Sequence, residues 1–159
     1  MTDMADPADN HEIVLKDCIV QTGICTHNTT VKQAMQTCVR SHVAGIPYLD
    51  EDGRIIGRFS LRNTFYAECI PADLIKHAHL LGENIENFEI SDHYPDDFLQ
   101  LPARNLLVEQ VLHLSPESQI VKALALMEQF GTTYLFVVDD DNTYLGTVTH
   151  LSIAEQLTR

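Results

Sequence analysis

The sequence predicts an α+β fold of two β-α-β-β-α units packed as a pseudo-twofold pair. Three observations predict it: a gapless internal repeat, an amphipathic helix in each copy, and two short apolar segments after each helix joined by an acidic turn. The repeat shows first in Asp50-Glu51-Asp52-Gly53-Arg54-Ile55-Ile56-Gly57 and Asp139-Asp140-Asp141-Asn142-Thr143-Tyr144-Leu145-Gly146, at an offset of 89 residues. The same offset pairs Thr26 with Ser115, Val31 with Ile120, Ala34 with Ala123, Cys38 with Met127, Ile46 with Leu135, Phe59 with Val148 and Ser60 with Thr149. One unit is too small to bury its sheet well, so two are expected to pack together.

Each element can be justified in chain order. Asp3, Asp6, Asp9 and Glu12 make residues 1–12 an acidic, flexible tail, and the first copy then spans 13–68. Gly23-Ile24-Cys25 is a short opening strand. Thr30-Val-Lys-Gln33 fits a capping box, and Val31, Ala34, Met35, Cys38 and Val39 follow at the spacing of one apolar helix face. Gly45-Ile46-Pro47-Tyr48-Leu49 and Ile55–Phe59 are strands joined at Asp52-Gly53, where glycine supplies the positive φ of a tight hairpin. A closing helix forms over Asn63–Glu68.

Residues 69–105 are a long connector. Asp73–Leu81 has helical composition with Gly82 as its stop, residues 83–97 carry six acidic groups, and Asp92–Asp97 reads as a solvated loop. The connector is expected to cover a sheet edge or a cleft mouth. In the second copy, residues 106–159, Val111-Leu112-His113 opens as a strand and Ser115-Pro116 places proline at the first position of a helix. Ile120, Ala123, Leu124, Met127 and Phe130 form its apolar face. Strands over Tyr134–Val138 and Tyr144–Val148 and a helix over Ser152–Leu157 complete it.

Composition bounds the function. Of 159 residues, 45% are apolar and 21% charged, which excludes a disordered chain and a disulfide scaffold. A net charge of −13 argues against DNA and anionic membrane surfaces as partners, because such binding needs cationic patches. Residues 13–63 nevertheless carry a net +2 against −5 for 106–159, so a phosphate is expected in the first half. Cys18, Cys25, Cys38 and Cys69 lack CxxC or zinc-site spacing and read as buried thiols of a reducing compartment. No basic leader or apolar run of spanning length is present, so the reading is cytoplasmic.

His77 and His79 would point about 200° apart on a helix and cannot clamp one ion, so no metal is expected. No nucleophile motif, glycine-rich phosphate loop or paired-carboxylate site stands out either. The reading is a protein without a catalytic site and without a resident cofactor.

The order of elements and the motifs Ile46-Pro47-Tyr48-Leu49-Asp50 and Gly57-Arg58-Phe59-Ser60-Leu61-Arg62-Asn63 resemble the cystathionine β-synthase (CBS) domain. The second copy matches with Leu135–Asp139 and Gly146–Ser152, so the whole resembles a tandem pair, the Bateman module. The resemblance implies a stand-alone regulatory module that binds an adenine-containing ligand, such as AMP, ADP, ATP or S-adenosylmethionine, between the repeats. Occupancy would be signalled through conformation or assembly. It also implies apolar and backbone contacts to adenine and a hydroxyl-x-x-Asp segment on the ribose. Asn63 and Ser152 stand where the family has that aspartate, a departure in both copies.

On this basis the first candidate cleft comprises Ile24, Gly45, Ile46, Pro47, Arg58, Ser60, Arg62 and Asn63, with the arginines facing phosphate. The second, weaker one comprises Leu112, Tyr134, Phe136, Thr149 and Ser152. Against these stand plainer roles: Ser60 as a helix cap, Arg58 and Arg62 as surface charges, and Phe136 as core. The competing function is a ligand-free dimerisation and protein-interaction module with degenerate clefts. Both readings expect a homodimer, and the second adds an unidentified protein partner.

Overall fold

The computed structural model describes residues 12–87 and 97–159. Most of the acidic tail and residues 92–96 of the expected solvated loop lie outside them. Two compact units are present: Thr22–Val111, and residues up to 21 together with Leu112–Arg159.

In the Thr22–Val111 unit, helix α1 (Val31–Ser41) starts at a complete capping box. The Thr30 hydroxyl accepts from the Gln33 N–H at 3.2 Å, and the Gln33 carboxamide accepts from the Thr30 N–H at 3.0 Å. Val31, Ala34 and Cys38 are buried as its spacing predicts, but Val39 is 67% exposed. Val39 lies one position beyond Cys38, about 100° further around the helix, which turns it off the packed stripe. Strands β1 (Gly45–Leu49) and β2 (Ile55–Ser60) form the expected antiparallel hairpin, with Gly53 at φ 79 in its turn. Cys25 bridges β1 in parallel at Tyr48. Helix α2 (Leu61–Glu68) follows β2 without a loop, and α3 (Ala72–Leu81) ends at Gly82, φ 49, as expected.

The free edge of β2 is covered. Arg58 and Val108 exchange backbone hydrogen bonds, each 2.9 Å, and a 3-10 turn over Ala103–Leu106 precedes that bridge. Residues 103–108 thus pack on the first hairpin.

The other unit repeats the arrangement. Strands β3 (His113–Leu114), β4 (Tyr134–Val138) and β5 (Tyr144–Thr149) form a sheet in that order, with β3 parallel and β5 antiparallel to β4. Asn142 takes the turn at φ 61. Helices α4 (Ile120–Phe130) and α5 (His150–Leu157) flank the sheet. Val20 covers β5 through two backbone hydrogen bonds with Thr147, after a 3-10 turn over Leu15–Cys18. Leu15 and Cys18 are buried in this unit's core with Ala123, Met127, Leu135, Val137, Val148 and Ile153.

Two expectations about α4 need correction. Pro116 does not start the helix, whose N-cap is Gln119. The carbonyls of Pro116 and Ser118 instead accept from the N–H groups of Lys16 and Leu15, which holds residues 116–118 out of the helix. Leu124 and Phe130 are exposed, at 38% and 41%, so the packed stripe is narrower than the apolar one. Among the described residues no helix is long and apolar enough to cross a membrane.

Candidate functional site

Ser60 ends β2 and caps α2, its hydroxyl accepting from the Asn63 N–H at 3.3 Å. That cap fixes the first turn of α2 at the sheet edge, with Arg62, Asn63 and Tyr66 exposed. Residues 105–108 lie opposite. Between them opens a cavity of about 540 Å³, lined by Arg62, Asn63, Tyr66 and Ala67 of α2 and by Asn105, Leu106, Leu107 and Val108. That volume lies within the usual range for small-molecule sites, roughly 300–1,000 Å³.

The far wall is held in three ways. Arg58 pairs with Val108 through both backbone groups, and the Arg58 Nε–H donates to the Gln110 carbonyl at 2.8 Å. Gly57 has no side chain to hold the wall off: a Cβ there would stand 3.1 Å from the Val108 carbonyl oxygen. The wall offers apolar surface from Leu106, Leu107 and Val108, and the helix side offers a guanidinium, a carboxamide and a phenol ring. Such a surface suits a flat heteroaromatic body with polar substituents.

The structure brings together only part of the residues expected in the first cleft. Arg62 and Asn63 line the cavity; Arg58 and Ser60 lie outside the lining, Arg58 with its Nε–H on the Gln110 carbonyl rather than facing the cavity and Ser60 capping α2. Gly45, Ile46 and Pro47 are buried in β1 and are not lining residues, and Ile24 is partly exposed away from them in sequence and outside the lining set. In the second set, the Leu112 carbonyl accepts from the Phe136 N–H at 3.0 Å. Phe136 is 1% exposed and packs against the Tyr134 and Tyr144 rings, each at 5.8 Å between centroids. The hydroxyls of Thr149 and Ser152 cap α5 reciprocally, each accepting from the other residue's N–H at 2.9 Å.

Tyr66, Ala67 and residues 105–108 escaped the sequence reading. In the structure the 3-10 turns at Leu15–Cys18 and Ala103–Leu106 correspond at an offset of 88. The repeat therefore extends upstream of each copy's first strand, as far as the segment that covers the hairpin edge.

The free thiols are Cys18, Cys25, Cys38 and Cys69. Burial pushes all four thiol pKa values up, with Cys25 and Cys38 reaching about 12. Among the described residues no group of three or more His, Cys, Asp or Glu side chains is placed to hold a metal ion.

The family model of the CBS domain matches the chain twice, over residues 12–67 and 103–159. No curated protein sequence matches it significantly. Among solved structures, the CBS domain pair of protein MJ0100, in complex with 5′-methylthioadenosine and S-adenosyl-L-methionine, superposes with a TM-score of 0.60 at 17% identity. That match covers 92% of this chain and 97% of the other. A CBS domain-containing protein of unknown function from Bacillus anthracis gives 0.63 at 17% identity, covering 96% and 98%. CBSX2 in complex with AMP gives 0.58 at 19% identity, covering 92% and 98%. With both repeats matched and the whole fold shared, this chain belongs to the CBS-domain family and is a tandem CBS pair.

Proposed function

We propose that the protein is a regulatory module that binds an adenine-containing ligand in the cavity between α2 and residues 105–108. The observation that carries this reading is the position of Asn63. It stands where the resemblance to the family places the ribose-binding aspartate, and it lines a cavity of about 540 Å³ together with Tyr66 and Arg62. The adenine ligands of MJ0100 and CBSX2 support the choice of ligand class.

Occupancy has a direct route into the rest of the chain. A ligand in this cavity touches both α2 and residues 105–108, so it favours the docked state of that segment. The same backbone continues into the second unit at Leu112. A regulatory role is preferred to a catalytic one because the Ser60, Thr149 and Ser152 hydroxyls are engaged in helix caps. The raised thiol pKa values make the cysteines poor nucleophiles. Free thiols also suit a reducing compartment such as the cytoplasm.

A thermal-shift screen with calorimetric follow-up of AMP, ADP, ATP and S-adenosylmethionine tests the reading. At least one is expected to raise Tm by several degrees at millimolar concentration; no shift with any of them contradicts it.

The second reading, a ligand-free dimerisation and protein-interaction module with degenerate clefts, is favoured by the apolar side chains exposed on the helices, including Phe65 and Tyr66 on α2, Val121 and Phe130 on α4, and Leu151 and Leu157 on α5. These surfaces favour homodimerisation. Light scattering should show a dimer at ~100 μM, well above the micromolar affinities of many specific complexes, and a clean monomer there contradicts it.

A further inference from the structure

The first helices of the two repeats carry opposite charges on equivalent outward stripes. Lys32 and Val39 of α1 are both exposed and stand seven residues apart, so they lie on one side of the helix. At the offset of 89 that relates the repeats, α4 has Val121 and Glu128, also exposed. A cation followed by an aliphatic residue in the first repeat is thus an aliphatic residue followed by a carboxylate in the second. Met35 and Leu124 are the equivalent apolar residues between them. Among the described residues neither Lys32 nor Glu128 has an ion-pair partner. The same exchange recurs on the closing helices, where Arg62 and Tyr66 of α2 match Leu151 and Glu155 of α5.

We infer that two copies of the chain associate with α1 of one packed antiparallel on α4 of the other, first repeat against second rather than like against like. The inference rests on the reading of the helix faces as homodimer surfaces and fixes which faces meet. In an antiparallel helix pair the start of each stripe faces the end of the other. With like repeats together, Lys32 faces Val39 of the second copy and Val121 faces Glu128, so every charge on the stripes lies against hydrocarbon and loses water without gaining a partner. With first on second, Lys32 faces Glu128 and Val39 faces Val121. Twofold symmetry doubles this into two ion pairs and two apolar contacts. The other charges of these helices, Arg40 and Lys122, share a sign and lie on the opposite flank of each stripe. The Arg40 guanidinium donates to the Thr37 hydroxyl at 3.4 Å, which draws it back along its own helix.

The test is sedimentation of the full chain to obtain the dimer Kd for wild type, Lys32→Glu, Glu128→Lys, the double variant carrying both and, as a charge control, Arg54→Glu in the exposed hairpin turn. Each single reversal turns two ion pairs into two like-charge pairs and should raise Kd about tenfold. The double variant restores opposite signs across the contact and should return to within about threefold of wild type, because coupling of this kind belongs only to residues that meet. Arg54→Glu should leave Kd unchanged. Single reversals without effect, or a double variant no tighter than the single ones, overturn the inference while leaving a homodimer standing. A wild-type chain that stays monomeric at ~100 μM overturns both.

Discussion

Thr64 sits one residue beyond Asn63 on α2, fully buried, and its hydroxyl has no hydrogen-bond partner among the described residues. At the matching position of the second repeat stands Ile153, buried in that unit's core. The first repeat therefore carries a hydroxyl where its twin carries a hydrocarbon, and an unsatisfied buried hydroxyl costs about 1–3 kcal/mol. Thr64→Val removes the polar atom at nearly constant volume. Urea unfolding should show it equal to or up to about 1 kcal/mol more stable than wild type; a loss above 1 kcal/mol would mean the hydroxyl has a partner. Ser60 and Thr149 show the opposite case, since each hydroxyl satisfies the first turn of its helix and was readable from the sequence as a cap.

The hairpins and their covering segments depend on two equivalent glycines that tolerate substitution differently. At Gly146 a Cβ would run into the Ile19 side chain and stand 2.8 Å from the Val20 carbonyl oxygen, so backbone must move. At Gly57 the nearest atom is the Val108 carbonyl oxygen at 3.1 Å, which a small shift relieves. Gly146→Ala should therefore destabilise the protein by about 2 kcal/mol or more and expose the segment before Gln21 to proteolysis. Gly57→Ala should cost less; equal costs in urea melts would refute this account of the edge.

The same comparison shows how much of the structure was legible in the sequence. The hairpins were, because strand pattern and turn residues sit within sixteen residues from Gly45 to Ser60. The α1 cap was legible for the same local reason. A connector over a sheet edge was expected, but which residues cover which edge was not legible, because Val108 pairs with Arg58 and Val20 with Thr147, partners set by tertiary packing. That blindness hid half the cavity's wall and misplaced the start of α4. Of the cavity lining, Arg62 and Asn63 lie in the motif quoted from the sequence, while Ile46 and Pro47 are buried in β1.

For the whole molecule, the buried thiols set an alkaline limit. Cys25 and Cys38 are pushed up to about 12 by burial, with the neighbouring Cys38 adding to the rise at Cys25. In the unfolded chain these thiols lose their protons near pH 9, whereas the folded protein holds them until about 12. Their contribution to stability is thus complete below pH 9 and is lost as pH rises towards 12. Each thiol adds a slope of about −1.4 kcal/mol per pH unit in that window. Urea melts from pH 7 to 11 should show the decline, and Cys38→Ala, less stable at neutral pH, should show a shallower one. An unchanged slope in the variant would contradict this assignment.

The cavity walled by α2 and residues 105–108 is proposed to bind a nucleotide. The most direct measurement follows backbone amide shifts of the full chain during titration with AMP. The account predicts saturable shifts concentrated at Arg62, Asn63, Tyr66, Ala67 and Asn105–Val108. Shifts centred instead on Leu112, Tyr134 and Thr149, or none at millimolar AMP, would contradict it.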